Sequence, residues 1–335
     1  MLYSDIVILP KGKTLKEYKL TAESDISAAN SIFVHRKSRE VVERVAQTIF
    51  TICASFSILV VASITLYMFV NGTPAIFKVG LKEILFSRSW YPMADEPKYG
   101  ILYVILTSML GTGMAVIIGV PVGVLTAVFL AEIANAKVAA AVRPAVELLA
   151  GIPSVIYGLL GIYLLNPLMY KLELKLFRDS ETHQFTGGSN LLSAVLVLSV
   201  MILPTVINIS ETSIRAVNPG IREASLALGA SRIQTVFRSV LPAARSGIAT
   251  AVVLGVGRAV GEAMAITLVS GGSVNEPFPF NSVRFLTTAI VSEMGYSSGT
   301  HRQMLFTIGL VLFVFIMLIN IIITNILKKR GVEHG

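Results

Sequence analysis

Two charged residues, Arg258 and Glu262, lie in an otherwise uncharged apolar stretch, Gly247–Ser270, and could act on an ion inside a membrane. A charge at the centre of a bilayer costs about 2.5–3.5 kcal/mol, so the pair requires a role that offsets this cost. On a continuous helix, a spacing of four residues places both side chains on one face. An arginine whose charge is partly shared with a carboxylate can bind an anion weakly enough to release it. The alternative is an ion pair that fixes this helix to its neighbours, helped by Gly257 and Gly261 at the spacing that lets helices pack closely.

Other kinds of chemistry have no matching residue pattern in the sequence. It contains no G-x-x-x-x-G-K-[ST] phosphate-binding loop. The four histidines (His35, His183, His301 and His334) fall in predicted loops and lack the spacing of metal ligands. No nucleophile, base and acid can be placed together at one membrane depth. We therefore predict a protein that is not an enzyme and that holds no metal or cofactor of its own.

A second pattern, between residues 218 and 248, predicts two short helices outside the membrane. Asn218-Pro219-Gly220 and Gly229 predict turns, and Ser231 is placed to cap the second helix. That helix carries an apolar stripe flanked by arginines, and we expect it to end at Leu241-Pro242. Such a pair could fit a partner's groove and transmit force, or it could lie on the membrane as an amphipathic connector.

This segment resembles the EAA loop of type I ABC-importer permeases. The residues that match are Glu223, Ala224, Gly229, Leu241 and Pro242. Two positions depart from the family pattern, since Ser225 replaces an alanine and Ser239 stands where isoleucine is usual. The resemblance implies that the loop, residues 214–246, docks in a cleft of a separate ATP-hydrolysing subunit. ATP is then expected on that partner.

Two further segments resemble the phosphate-importer branch of these permeases. The stretch GVGRAVGEAMAI around Arg258 is similar to the family's GRALGETMAV, and GIPSVIYGLLG from Gly151 is similar to its PSVVYGLLG. The Met264-Ala265 ending resembles the C subunit of these importers more than the A subunit. With the charge argument above, we expect Arg258 to line a translocation path for an anion and Glu262 to tune it or close its gate. The resemblance also implies a homologous A-type permease partner, two copies of the ATPase subunit and an external phosphate-binding protein.

The composition predicts that membrane helices position these residues. Of 335 residues, 54% are hydrophobic and 14% are charged. In soluble proteins, about 25% of the residues are usually charged. A soluble protein of this length would lack the polar surface to cover its core. Six apolar stretches are long enough to span a bilayer. They cover approximately Ala46–Val70, Ile101–Ala131, Leu148–Tyr170, Leu191–Ser210, Gly247–Ser270 and Leu305–Leu327. We predict an all-α integral membrane protein with about six transmembrane helices and the type I importer permease fold.

Proline and glycine predict irregular points within these spans. Gly119-Val120-Pro121 predicts a kink in the second span. Gly151, Pro153 and Ser154 near the start of the third span, with Asn166-Pro167 near its end, predict a broken or partly re-entrant helix. Carboxylates near the span ends, Glu132, Glu147 and Glu211, are expected to be interface anchors.

Lysine and arginine are distributed unequally between the two sides of these spans. Eighteen lie on the side that holds both termini and nine on the other, which predicts that both termini are cytoplasmic. The net charge of +8 is then explained by topology in the plasma membrane and contact with its lipid, and no nucleic-acid partner is expected.

The chain is accordingly divided into a cytoplasmic extension (1–45), a first transmembrane helix (46–70), an extracytoplasmic loop (71–100), a permease core (101–327) and a cytoplasmic tail (328–335). The function expected is the transmembrane permease subunit of an ATP-driven inorganic phosphate importer. Two alternatives are a permease for another oxyanion, such as molybdate or sulfate, and a self-contained secondary anion carrier.

Overall fold

The computed structural model describes residues 15–332, and nearly all of them are helical. The long helices are α1 (Leu15–Val79), α3 (Leu102–Val128), α7 (Leu191–Arg215), α10 (Leu241–Gly261) and α13 (Gly299–Val332). Shorter helices are α2 (Leu81–Phe86), α4 (Ala136–Gly151), α5 (Ser154–Leu160), α6 (Asn166–Leu176), α8 (Pro219–Ala227), α9 (Arg232–Thr235), α11 (Met264–Val269) and α12 (Leu286–Glu293). The strands are β1 (Trp90–Tyr91) and β2 (Lys98–Tyr99), which pair antiparallel with Trp90 opposite Tyr99. There are three π-helical turns: Phe129–Ile133 extends α3, Gly161–Leu165 joins α5 to α6, and Val236–Val240 joins α9 to α10.

Among the described residues, six helical segments are long and apolar enough to cross a membrane. They are Val42–Val79, Leu102–Ile133, Ser154–Leu176, Leu191–Arg215, Arg232–Gly261 and Gly299–Ile322. The prediction of an all-α membrane protein with about six transmembrane helices is therefore confirmed. The second span continues as a single helix through Pro121, and the third continues through Asn166-Pro167 to Leu176.

The chain divides into two units, one ending at Leu66 and the other beginning at Tyr67. In the first unit, the described side chains from Val42 to Leu66 are almost all exposed and mostly apolar, as suits a helix surrounded by lipid. Residues 1–14 of the predicted cytoplasmic extension, and residues 333–335 of the predicted tail, lie outside the described part of the chain.

In the second unit, α7 is the central helix and packs closely against α3 and α10. Gly119 and Gly123 of α3 lie where a Cβ atom would come within 2.6 Å of Ile202 and 2.8 Å of Val206, both on α7. On α10, a Cβ at Gly255 would lie 2.9 Å from the same Val206 side chain. Small residues at such points let helices approach more closely than larger side chains permit. The three helices therefore form one tightly packed group.

Candidate translocation and coupling sites

The fifth span is broken at Glu262, about one helical turn after Arg258. Helix α10 ends at Gly261, Glu262 has an extended backbone (φ −72°, ψ 130°), and α11 begins at Met264. The sequence interpretation of a continuous helix, with Arg258 and Glu262 on one helical face, is wrong at this point. Sequence periodicity could not show the break, because no proline or run of polar residues marks it.

The Glu262 carboxylate is directed to the next helix and not to Arg258. Its Oε1 accepts a hydrogen bond of 3.1 Å from the backbone N–H of Ala265, in the first turn of α11. The first amides of a helix lack intrahelical partners and favour a nearby negative charge. The Glu262 carbonyl accepts a 2.7 Å bond from the Thr287 hydroxyl of α12. Glu262 therefore holds the two helices at the break.

The Arg258 guanidinium is half-buried, and among the described residues no carboxylate forms an ion pair with it. It lies close enough to Tyr157 of α5 to act on that hydroxyl electrostatically. The Tyr157 hydroxyl donates a 2.6 Å bond to the Leu149 carbonyl, near the end of α4. A cation without a carboxylate partner, inside a predicted membrane span, is available for an anionic ligand.

A break also occurs at the start of the third span, where Gly151, Pro153 and Ser154 predict one. Helix α4 ends at Gly151, Ile152 and Pro153 are extended, and α5 begins at Ser154. Proline disfavours a helical conformation for the residue before it and is well suited to begin the following helix.

The two broken spans pack against each other. A Cβ atom at Gly158 of α5 would lie 3.0 Å from the Ala265 Cα of α11, and one at Gly161 would lie 2.5 Å from Val269. The two segments that resemble phosphate-importer permeases, which are about a hundred residues apart in sequence, thus meet in the structure. The likeness of each segment was recognisable from sequence, but their contact was not.

Gly257 and Gly261 do not contribute to packing among the described residues. Both are exposed, and a Cβ atom at either position would meet nothing within 4 Å. The same holds for Gly151. The face of α10 next to Arg258 is therefore open.

The predicted cytoplasmic loop contains α8 and α9 with well-defined caps. Asn218 Oδ1 accepts a 2.8 Å bond from the Gly220 amide at the start of α8. Gly229 has φ +85°, a left-handed conformation that favours glycine, and it reverses the chain after α8. Ser231 and Gln234 then form a reciprocal capping box at the start of α9.

The prediction that the second short helix ends at Leu241-Pro242 is wrong. These two residues lie inside a longer helix. From Arg232 the helix continues through the π-helical turn Val236–Val240 into α10 and on to Gly261. The wider turn accommodates Pro242, whose ring and missing N–H disrupt ordinary α-helical hydrogen bonding. Helix α9 is therefore continuous with the fifth span.

The outer surface of this loop is strongly apolar. Leu228 is 90% exposed and Ile233 is 67% exposed, and Phe237 projects nearby on the following turn. A groove of about 500 Å³ lies between the two short helices. Its lining residues are Ile221, Ala224, Ser225, Leu228, Ala230, Gln234, Arg238 and Ser239. Glu223 is exposed beside it.

The two departures from the EAA pattern lie side by side in the structure. The Ser225 hydroxyl is 3.0 Å from the Thr235 hydroxyl, and Ser239 donates to Ser225 at 3.4 Å. These contacts join α8 to the helix that follows. The sequence pattern showed Ser225 and Ser239 as two separate departures and did not indicate that they are in contact.

Two of the carboxylates expected to be interface anchors form ion pairs with arginines. Glu132 binds Arg222 at 2.6 Å, and Glu211 accepts from Arg143 at 2.7 Å and from Arg215 at 2.9 Å. In the sequence, Arg222 lies 90 residues from Glu132, and Arg143 lies 68 residues from Glu211. Sequence reasoning did not predict these pairs because the partners are so far apart.

Two histidines on the opposite side of the spans form buried pairs with glutamates. His183 lies 2.8 Å from Glu173, and His301, within α13 and not in the predicted loop, lies 2.7 Å from Glu293. Glu293 also accepts from Arg284 and from the Trp90 indole N–H. Within residues 42–322 and at residue 325, where side chains are described, no three His, Cys, Asp or Glu side chains are grouped to hold a metal ion.

The Glu293 cluster borders a cavity of about 710 Å³ that Trp90, Arg284 and Tyr296 also line. Burial, and then the Glu293 charge, raises the pKa of the Tyr296 hydroxyl above its ordinary value.

The family described as "Binding-protein-dependent transport system inner membrane component" matches residues 119–331. A probable ABC transporter permease protein, YqgH of Bacillus subtilis, is 36% identical over 313 residues, which are 92% of this chain and 98% of that protein. The phosphate transport system permease protein PstC of Haemophilus influenzae is 30% identical over 83% of this chain and 93% of its own length.

A similar fold is found in the crystal structure of a bacterial alginate ABC transporter in complex with an alginate pentasaccharide-bound periplasmic protein. The likeness has a TM-score of 0.54 at 15% identity, over 82% of this chain and 93% of that chain. At this identity the likeness concerns the fold alone.

Proposed function

Because the chain belongs to the family of binding-protein-dependent transport system inner membrane components, we propose that it is the transmembrane permease subunit of an ATP-driven importer of inorganic phosphate. The observation that carries the substrate class is Arg258, a cation at a broken span with no carboxylate partner among the described residues. Similarity to the phosphate transport permease PstC narrows the anion to phosphate.

In the proposed translocation path, Arg258 attracts the anion and Glu262 keeps the break in place. Because the Glu262 carboxylate is bound to the Ala265 amide, it does not neutralise Arg258. Phosphate would meet a positive charge without a fixed ion pair to displace. The open face at Gly257 and Gly261 lets another helix approach, and a homologous A-type permease is the proposed second wall of the path.

In the proposed coupling mechanism, the loop between α7 and α10 receives movement from a separate ATPase subunit. Its exposed apolar residues, Leu228 and Ile233, are suited to a partner's cleft. Each complex would contain two ATPase copies, which bind and hydrolyse ATP, and an external phosphate-binding protein that delivers the substrate. The excess of lysine and arginine on the side of this loop supports a cytoplasmic location for it and for both termini.

The test is purification of the intact complex from membranes through a tag on this chain, followed by subunit identification and uptake assays. We expect an ATPase and a second permease to copurify, and ATP-dependent uptake of phosphate that molybdate and sulfate do not inhibit. Stronger inhibition by another oxyanion would assign that anion as substrate. Transport by the purified chain alone, driven by an ion gradient, would instead identify a secondary carrier.

A further inference from the structure

Arg222 joins the first coupling helix, α8, to two membrane-spanning helices. Its guanidinium binds the Glu132 carboxylate through Nη2 at 2.6 Å and Nε at 3.1 Å. Its other hydrogen bonds go to the carbonyls of Val217 at 2.7 Å and Ile214 at 2.8 Å. The planar fork of arginine, with five N–H donors, can make all of these bonds at once.

The groups that Arg222 binds lie at the ends of the second and fourth spans. Glu132 is in the π-helical turn Phe129–Ile133 that ends the second span, and Ile214 is in the last turn of α7, where carbonyls lack intrahelical partners. The Arg222 and Glu132 side chains are only 23% and 13% exposed, so water screens their attraction less than it would at the surface.

A second arginine, Arg215, also binds this π-helical turn. Arg215 donates a 2.7 Å bond to the Leu130 carbonyl and a 2.9 Å bond to the Glu211 carboxylate. The end of the second span is thus fixed to the end of α7 and, through Arg222, to α8.

From these ends, close packing continues to Arg258. Helices α3 and α7 meet at Gly119 and Gly123, and α7 meets α10 at Gly247, where a Cβ atom would collide with Ser213, and at Gly255. Gly255 precedes Arg258 by three residues, less than one helical turn. Interfaces packed this tightly move as a unit and do not deform continuously.

We propose that Arg222 is the positioning residue through which movement of α8 reaches the second and fourth spans, and through them the segment that carries Arg258. Removal of either charge breaks the Arg222–Glu132 ion pair, and with it the contact of α8 with the end of the second span. This inference rests on the proposed function, because it requires a partner that moves α8 on ATP hydrolysis. It adds to that function a second route into the membrane, separate from the continuous helix that joins α9 to α10.

The experiment measures phosphate taken up per ATP hydrolysed by the complete complex, reconstituted in vesicles with its binding protein and phosphate outside. Glu132→Gln keeps the side-chain size and removes the charge. We expect the amount of phosphate per ATP to fall about fivefold or more, within the usual range of coupling between sites, while the ATPase subunit still copurifies. Arg222→Lys keeps the charge and loses the fork, and we expect a smaller loss in the same ratio.

Because both substitutions act on the Arg222–Glu132 ion pair, we expect the loss in the double variant to be smaller than the sum of the two single losses. The matched control is Arg143→Gln, which removes the ion pair with Glu211 between α4 and α7 and leaves α8 untouched. We expect it to retain the wild-type ratio.

A wild-type ratio in both Glu132→Gln and Arg222→Lys, losses that add in the double variant, or an equal loss in Arg143→Gln would overturn the proposal. Failure of the proposed function has a different signature. In that case the wild-type chain would copurify with no ATPase, or would show no ATP-dependent phosphate uptake, before any variant is measured.

Discussion

At the scale of single residues, Arg258 is available to an anion because of what its neighbour Glu262 does. If α10 continued as a regular helix, the two charges would lie on one face and could neutralise each other. The extended backbone at Glu262 removes that arrangement, and its carboxylate instead binds the Ala265 amide. One local change of backbone conformation therefore leaves Glu262 bound to a backbone amide and Arg258 without a carboxylate partner among the described residues.

Replacement of Arg258 by alanine is expected to abolish phosphate uptake and leave the protein folded. The guanidinium makes no ion pair among the described residues, so its removal costs little packing or pairing energy. A loss of at least about tenfold in initial uptake rate, equivalent to ~1.4 kcal/mol, should be measured in vesicles that contain the complete complex. The level of protein in membranes and its thermal unfolding in detergent serve as controls. Undiminished transport would exclude Arg258 from the path.

At the scale of elements, breaks and turns determine what each helix can transmit. The third and fifth spans are interrupted where they pack together, between α4 and α5 and between α10 and α11. By contrast, the helix from Arg232 to Gly261 is continuous through Pro242 because a π-helical turn precedes the proline. The interrupted segments can hold a ligand site with free backbone groups, and the continuous one connects the loop to that site.

Gly229→Ala is expected to uncouple ATP hydrolysis from phosphate uptake. At φ +85° an alanine Cβ is strained by about 1 kcal/mol, so the turn that presents Leu228 shifts. The ratio of phosphate taken up to ATP hydrolysed should fall in reconstituted vesicles. Gly220→Ala, in the same loop but without positive φ, is the control and should keep the ratio of the wild type. Equal behaviour of the two variants would contradict a role for the turn.

Two glycines of α10 should respond in opposite ways to alanine. At Gly247 a Cβ atom would collide with Ser213 of α7, so Gly247→Ala is expected to destabilise the chain by about 1–3 kcal/mol. At Gly257 a Cβ would meet nothing within 4 Å, so Gly257→Ala should leave stability unchanged or raise it slightly, since alanine favours helix. Thermal unfolding of the purified chain in detergent measures both. If Gly257→Ala were the more destabilised variant, the close contact of α7 with α10 would be wrong.

At the scale of the whole molecule, the low content of charged residues and their distribution along the chain are typical of a multi-pass membrane protein. Only 14% of residues are charged, and the six spans leave most charges in the connecting segments. Several charges near span ends are paired, as in Arg222 with Glu132 and Arg143 with Glu211. Pairing offsets part of the desolvation cost and fixes the ends of the helices.

The proposed orientation can be tested by cysteine labelling with a membrane-impermeant maleimide. The native Cys53 is first replaced by alanine, and single cysteines are then introduced by Asp95→Cys and Ser231→Cys, both at exposed positions. We expect Asp95→Cys to react in intact cells and Ser231→Cys to react only in inverted vesicles. Reaction of Ser231→Cys in intact cells would reverse the proposed topology.

Sequence alone determined the class of the molecule and indicated the segments in which we propose that its function lies. Apolar stretches of about 20 residues have few stable structures available in a bilayer, so six spans and an all-α fold follow from composition and length. The segments around Gly151, Glu223 and Arg258 could be identified because each is a short, continuous run of residues.

Only the tertiary structure decided how these segments act together. The contact of the third span with the fifth, the ion pair of Arg222 with Glu132 and the break at Glu262 all depend on residues far apart in the chain. The Thr287 hydroxyl, 25 residues away, binds the Glu262 carbonyl and helps to hold the break. Periodicity reports which face of a helix is apolar, but it does not report which distant group will satisfy a freed backbone atom.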